Sequence, residues 1–548
     1  MDLHNLSVSA QWRSILKRKC QLFTKGFPLH TLTAPFSPST ALQPIQFIIA
    51  GFFLSLTIFS FPMATAPSSD FSSPLSVVVL AAGKGTRMHS RHSKVLQKLA
   101  GRPLLFHVLE TTAALHPEQV IAITGHEAAQ VQGRVQEAAP TLLPATPVHF
   151  ALQEPQNGTG HAVQQAVPLL PDEHTVLVLF GDVPLVQADT LRQVLHACHN
   201  QCLSLLTIHL DDPFGYGRIV RDGQGQVEAI VEQKDASEAQ RQIREINSGI
   251  MAMPARLLKP WLQRLDNHNA QGELYLTDLI ALARADGVAV QAHCLNASEE
   301  WQVAGINTPT QLAALERQYQ HLQAQRLMQA GVRLADPARL DLRSAPQAAQ
   351  AGRLQCGKDV EIDVGCIFSG TVELADGVRI GAYCHISNAR IGADSVIHPY
   401  SHIDGEKAGV SVGEDALIGP FARLRPGAQL GNAVHIGNFV EVKNSQMADG
   451  SKANHLAYLG DASVGERVNY GAGSITANYD GANKHRTVIE ADAHIGSNCV
   501  LVAPVTIGAG GTVGAGSTVS RDTAPQSLTV TRAKAISVAH WQRPAKKP

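Results

Sequence analysis

The chain has almost no net charge: 45 Lys and Arg stand against 46 Asp and Glu over 548 residues, a formal balance of -1. No global field therefore gathers nucleic acid or an anionic membrane surface. Aromatic residues are sparse, at 5%. The eight cysteines are scattered without a paired framework, which favours a reducing compartment over a disulfide scaffold. The densest cluster, "HACHNQC" with His196, Cys198, His199 and Cys202, has no second ligand pair at zinc spacing and reads as a helix face. Glycine, with 45 residues, is plentiful. Few aromatics and many glycines suit an architecture of tight corners and small or β-branched side chains.

What is present falls into stretches of unlike character. In residues 1–74, Arg13, Lys17, Arg18 and Lys19 precede "FIIAGFFLSLTIFSF" (Phe47 to Phe61) and then "MATA". Basic, apolar, then small is the order of a secretory signal. Gly51, Ser55 and Thr57 interrupt the run, which is short for a membrane span. The alternative is an extension upstream of a start at Met63. From Leu75 to about Asn307, strand-like runs such as "SVVVLAAG", "QVIAITG", "TVLVLFGD" and "VQAHCL" alternate with helical segments such as "DTLRQVLHACHN". This predicts a mostly parallel sheet with helices on both faces and ligands beyond the carboxyl ends of its strands. Residues 308–331 carry Leu312, Leu315, Tyr319, Leu322 and Leu327 near helical spacing, between Thr308–Pro309 and Gly331, and read as a linking helix.

Over 332–535 the period becomes six. "VTIGAGGTVGAGSTVS" places Ile507, Val513 and Val519 six apart, with Gly508 and Gly514 after the first two, and "VSVGEDALIGPFARL" repeats this with Val412, Ile418 and Leu424. Such hexads are the signature of a parallel β-helix, each forming one side of a triangular coil with its aliphatic residue inward. Flat faces favour self-association. The run is expected to break around "NSQMADGSKANHLAYLGDASVG", where an irregular insertion leaves room for a site. Residues 536–548, including "HWQRPAKKP", form a basic tail.

The turn "LAAGKGTRM" (Leu80 to Met88) follows the first strand and matches neither G-x-G-x-x-G nor G-x-x-x-x-G-K-[ST]. Its backbone N–H groups suit an anion, and Arg87 with Lys94 in "HSKVL" adds fixed positive charge. "LFGDVPL" ends an apolar strand at Phe180, Gly181 and Asp182, and an acid there suits Mg2+, which takes hard oxygens. "LQEPQNGTGHA" offers Gln153, Gly158 and Thr159, amide and backbone groups able to read a base edge. With "GYGRI", "VEQKDA", "EINSGI", "NAQGELYLTD", "IGPFARLRPGA" and "TANYDGANK" following in order, the chain from about Ser76 to Pro544 resembles a known family. It is the bifunctional bacterial uridyltransferase and glucosamine-1-phosphate acetyltransferase, which makes UDP-N-acetylglucosamine for peptidoglycan and lipopolysaccharide.

The resemblance implies an α/β chain: a Rossmann-like nucleotidyltransferase domain over 75–307, a linker helix over 308–331 and a left-handed parallel β-helix over 332–535. It implies that Leu80, Ala81, Ala82 and Gly83 line the uridine nucleotide, that Arg87 and Lys94 meet its phosphates, and that Gln153, Gly158 and Thr159 read uracil. Gly217, Glu232 and Asn247 would hold the N-acetylglucosamine moiety, and Asp182 with Asn307 would hold Mg2+. UTP and acetyl-CoA would be the co-substrates. The family usually has Tyr where this chain has Phe180, so a ring is kept and a hydroxyl lost.

His455 lies in the expected interruption, beside Tyr458. A neutral imidazole can take the proton of an attacking amine near neutral pH, and the resemblance makes His455 the general base of acetyl transfer. Arg425, Lys443, Tyr458 and Asn469 would bind the sugar phosphate, with Asn478 extending that contact. Ala472, Asn478, Tyr479, Ser497, Ala515 and Arg532 would contact acetyl-CoA. Asn454 stands where the family commonly has Gly, which would alter a local turn and leave the base in place. The site would form between neighbouring coils of a homotrimer, with small-molecule partners and no nucleic acid, in the cytoplasm; such substrates favour Met63 as the start.

Two other readings are open. One is a single-activity sugar-1-phosphate nucleotidyltransferase with a structural β-helix. The other is a regulatory subunit of the kind found in some translation exchange factors, which pair the same two folds. The intact basic loop, Gly181–Asp182 and the trio His455, Asn478 and Tyr479 speak against them.

Overall fold

A computed structural model describes residues 73–199, 201–345 and 347–544. The signal-like segment and Met63 lie outside the described residues. Among those described, no helix is long and apolar enough to cross a membrane.

Nine strands build the first sheet: β1 (Leu75–Leu80), β2 (Gln119–Thr124), β3 (Val148–Leu152), β4 (Thr175–Phe180), β5 (Leu203–His209), β6 (Arg218–Arg221), β7 (Val227–Val231), β8 (Glu245–Pro254) and β9 (Val290–Leu295). Their order is β9-β5-β8-β4-β1-β2-β3, with β6 and β7 attached at β8. Along this path only β8 runs antiparallel to its neighbours. The run "LSVVVL" sits centrally because both of its faces are buried: Val77 and Val79 enter one core and Val78 the other. Burying one such side chain stabilises by about 1.5–3 kcal/mol, so a one-residue slip of this strand is strongly disfavoured. Helices α1 (Leu104–Ala113), α2 (Ala128–Leu142) and α4 (Ala188–Cys198) pack on the first face. The other face is covered by α3 (Thr159–Gln164), α5 (Ala255–Arg264) and α6 (Leu279–Ala285). Strands β2 and β3 lie on one side of β1 and β4 on the other, so the crevice between β1 and β4 is the topological switch point.

The "HACHNQC" cluster closes α4. The Cys198 and Cys202 thiols donate to backbone carbonyls of Cys202, Ala197 and Cys198. All seven described cysteines are free.

Helix α7 (Pro309–Gln329) begins at a Thr308–Gln311 capping box. Its Leu315 and Tyr319 pack on Leu99, Ala100 and Leu104, and Glu316 accepts the Ala100 N–H at 2.7 Å. Beneath this contact Arg102 is 1% exposed and donates to Glu110 at 2.6 Å, His107 Nδ1 at 3.0 Å and the Ala349 carbonyl at 3.2 Å. The other ring nitrogen of His107 donates to the Leu99 carbonyl at 3.0 Å. Burial, and secondarily the Arg102 charge, push the His107 imidazole down to about 3 from 6.5.

The rest of the chain is a coil of short parallel strands in two sheets of 11 and 17 strands. Ile507, Val513, Val519, Val412, Ile418 and Leu424, the hexad residues, are all buried inside it. The expected interruption around 444–465 is absent. His435 pairs with Lys452, and Lys452 with Asn469, seventeen residues on each time, so the coil passes through that segment in register. The excursion comes later: Asn469 pairs with His494, twenty-five residues on, and the extra residues form a small hairpin in which Tyr479 pairs with Lys484. The sequence misleads because residues other than glycine turn many corners here. Asn444, Leu456 and Asp461 all have positive φ and stand in the regular coil, where the eye expects glycine.

The buried His107 predicts a pH signature. Its folded pKa lies below the unfolded value, so the unfolded chain binds the extra proton. The stabilisation is present above 6.5 and is lost as pH falls toward about 3. The difference in thermal midpoint between wild type and His107→Gln is expected to shrink from about pH 7 to about pH 4. A difference that stays constant with pH would show that the folded protein protonates this ring as readily as the unfolded chain.

Candidate active sites

The first site gathers at the switch point. Leu80 and Phe180 are paired neighbours at the ends of β1 and β4, so the Leu80–Gly83 turn and the Phe180–Asp182 turn leave the sheet side by side. The Gly181 N–H donates to the Leu80 carbonyl at 2.9 Å. Ala81 and Ala82 are buried and Gly83 is exposed. Gly85 adopts φ 59, and a Cβ there would lie 2.5 Å from the Lys94 Cβ. Only glycine therefore lets the turn close over Lys94. The Ile306 N–H donates to the Asp182 carbonyl at 3.0 Å and so draws Asn307 in.

The Lys94 ammonium bridges Asp182 Oδ2 and Asn307 Oδ1, the latter at 3.1 Å. Two oxygens from different segments thus converge on one position that a cation fills. This hard-oxygen pair fits Mg2+. Arg87 is exposed on the turn nearby.

Around this centre stand the base-reading candidates. Gln153 is buried and donates to the Gly158 carbonyl at 2.9 Å. Thr159 Oγ1 accepts the Leu276 N–H at 3.1 Å, and the Gln156 amide donates to the Ala82 carbonyl at 2.7 Å. The loop is thereby tied to the nucleotide turn.

The sugar candidates also meet. The Asn247 N–H donates to the Gly217 carbonyl at 2.9 Å, and a Cβ on Gly217 would lie 3.2 Å from Glu232 Oε1. Burial raises the Glu232 pKa, the Thr277 hydroxyl at 3.2 Å opposes this, and Asp278 and Asp235 add to it. The Phe180 ring packs where a Gly249 side chain would be, 2.5 Å from the Cβ position, so the ring keeps its packing role without a hydroxyl.

The second site lies on the coil. Backbone hydrogen bonds run from the N–H of Leu456 to Asn438, of Gly473 to His455, of Asn498 to Ala472 and of Gly516 to Ser497. Asn438, His455, Ala472, Ser497 and Ala515 therefore form one column along a corner, each preceding the residue that turns it. Arg532 lies over the end of this column, its Nη2 3.7 Å from the Cβ position of Gly514. His455 Nδ1 meets Asn438 Oδ1 at 2.9 Å. Asn454 belongs to the strand Lys452–His455 and disturbs no turn.

Past this corner, Arg425, Lys443 and Tyr458 occupy one face, where Arg425 pairs with Glu441 at 2.8 Å. The Lys443 ammonium is held below its ordinary range by burial and then by Lys484 and Arg425, in a cluster of three cations. The Asn478 and Asn444 amides both donate to Asp461, which is 7% exposed. Tyr479 follows on the hairpin and is largely exposed. Asn469 is not brought to this group: it stands on the other sheet, across the corner from Lys443. Sequence reading passed over Asn438 and Asp461 as site residues, since each acts on a residue seventeen positions away. Lys484 lay inside "TANYDGANK", its charge the available signal.

Two family models match the chain. The MobA-like NTP transferase domain covers residues 77–245, and the bacterial transferase hexapeptide (six repeats) covers 409–444 and 486–521. The coil is accordingly of the left-handed hexapeptide class. "Bifunctional protein GlmU" of Acidovorax sp. (strain JS42) is 64% identical over 472 residues, 86% of this chain and 98% of that protein. The protein of the same name from Paracidovorax citrulli (strain AAC00-1) is 64% identical over 477 residues, 87% and 99%. That from Nitrosospira multiformis (strain ATCC 25196 / NCIMB 11849 / C 71) is 52% identical over 477 residues, again 87% and 99%. With this identity over nearly the whole of each relative, and with both transferase domains in one polypeptide, the chain belongs to the bifunctional GlmU family of uridyltransferase–acetyltransferase enzymes.

Proposed function

We propose that the chain first acetylates glucosamine-1-phosphate with acetyl-CoA on the coil and then joins the product to UMP from UTP on the sheet, giving UDP-N-acetylglucosamine and pyrophosphate. The observation that carries this is the corner column in which His455 continues into Ala472, Ser497 and Ala515 beside a three-cation cluster. It offers a base, a track for an elongated acyl carrier and a counter-charge for a phosphate in one stretch of surface.

In acetyl transfer the sugar amine attacks the thioester carbonyl while His455 takes its proton, and the thiol of CoA is the leaving group. Arg425, Lys443 and Tyr458 bind the sugar phosphate, which relieves the repulsion among the cations. Asn478, fixed by Asp461, extends that contact, and Tyr479 and Arg532 border the acetyl-CoA track. In uridyl transfer a phosphate oxygen of N-acetylglucosamine-1-phosphate attacks the α-phosphorus of UTP in line, and pyrophosphate leaves. The Leu80–Gly83 turn cradles the nucleotide, Arg87 and Lys94 bind its phosphates, and Gln153, Gly158 and Thr159 face uracil. Gly217, Glu232 and Asn247 hold the sugar. Mg2+ on Asp182 and Asn307 would neutralise charge on the phosphates.

The assembly we infer is a homotrimer in the cytoplasm, with acetyl sites shared between chains. Three observations support sharing. Asn469 lies across a corner from Lys443. The rings of Tyr383, Tyr400, Phe421 and Phe439 form an exposed stack with centroids 5.1–5.4 Å apart. The C-terminal segment exposes Ile536 and Trp541, at 87% and 66%, apolar surface of the kind that marks an interface.

Mass spectrometry of a mixture of the purified chain with glucosamine-1-phosphate, acetyl-CoA, UTP and Mg2+ tests the reading, with UDP-N-acetylglucosamine as the expected product. His455→Ala is expected to lower acetyl transfer by about 100-fold or more and to leave uridyl transfer near normal; Asp182→Ala is expected to do the reverse. Loss of both activities in a folded variant would contradict two independent sites. For the shared site, co-assembly of Lys443→Ala with Asn469→Ala chains is expected to restore part of the acetyl activity that each lacks alone. Mixed trimers with no recovery would mean that both residues serve a site from the same chain.

A further inference from the structure

We propose that Asn438 is the positioning residue that sets the tautomer and orientation of His455, an inference that rests on His455 being the base of acetyl transfer. Coil stacking places Asn438 directly under His455, as paired residues of adjacent strands. Its Oδ1 stands 2.9 Å from His455 Nδ1. A carboxamide oxygen can only accept, so Nδ1 carries the proton and Nε2 holds the free lone pair that a base requires.

The choice of partner matters as well as the geometry. A carboxylate at this position would stabilise the imidazolium and leave the ring protonated near neutral pH. The neutral amide orients the ring without that charge. Titratable groups on the packed strands are His435 and Lys452 on one face and Glu441, Lys443 and Tyr458 past the corner. Among the described residues, the hydrogen-bonded partner of the ring is Asn438 alone. The corner leaves His455 exposed and Asn438 half-buried, so the amide supports the ring from within the coil while Nε2 is left to the substrate.

The test is steady-state acetyl transfer by the full-length chain as a function of pH, with uridyl transfer as the internal control for folding. In Asn438→Ala, kcat is expected to fall roughly 10- to 100-fold with little change in KM, a smaller loss than the roughly 10²–10⁴-fold that the general base itself contributes. In Asn438→Asp, the acidic limb of kcat/KM is expected to move up by roughly one pH unit. A wild-type kcat in Asn438→Ala, or an unmoved limb in Asn438→Asp, overturns the proposal. His455→Ala separates the two claims: if it retains acetyl transfer, the reading of His455 as base fails first. Should Asn438→Ala lose its trimer, selective ¹⁵N-histidine spectra of the wild type against His455→Ala decide. An Nδ1-protonated ring is expected, and an Nε2-protonated ring overturns the proposal.

Discussion

In-register stacking of parallel coils governs the candidate acetyl site. Each corner N–H donates to a carbonyl one coil below, so positions seventeen or so residues apart in sequence become vertical neighbours. His455 rests on Asn438, and Ala472, Ser497 and Ala515 continue the same line. The buried aliphatic ladder fixes this register, because each inward side chain contributes about 1.5–3 kcal/mol that a slip would forfeit. Eight residues added between Asn469 and His494 leave the register intact and are expelled as a hairpin.

The two sites solve opposite electrostatic problems. At the sheet, the Lys94 ammonium sits between an acid and an amide oxygen, so the charges there are already matched. On the coil, Arg425, Lys443 and Lys484 crowd together with Glu441 as a carboxylate partner of Arg425, and burial lowers Lys443 further. Three cations held this close leave positive charge that a dianionic phosphate would offset. Between the two, helix α7 grips the hairpin around Ala100 and Arg102 just beyond Lys94. The same helix reaches the coil through Gln320, whose side chain bonds the Leu342 backbone, so the Leu80–Met88 turn and the coil share one support.

Much of the fold was legible, and the reason is periodicity. "SVVVL" and "TVLVLF" announce strands buried on both faces, and the six-residue recurrence of Ile507, Val513 and Val519 announces the coil. The candidate site residues could be named in sequence because they fall within short motifs, and at one of these, Gly217, an added Cβ would press on Ile230 and Glu232. The coil's excursion was misplaced. Irregular spelling around Asn444 to Gly465 suggested an insertion, whereas Asn444, Leu456 and Asp461 turn ordinary corners at positive φ.

The sequence by itself determined the two periods, the order of the motifs and hence the two kinds of domain, because local spacing decides which face of a strand is apolar. Only the tertiary structure decided that Lys94 bridges Asp182 and Asn307, residues 88 and 213 positions away. It alone set Asn438 beneath His455 and put Asn469 across a corner from Lys443. These relations depend on the number of residues in each turn of the coil and on which strands of the sheet become neighbours. Neither quantity is encoded in any short stretch, since both emerge from the packing of the whole chain.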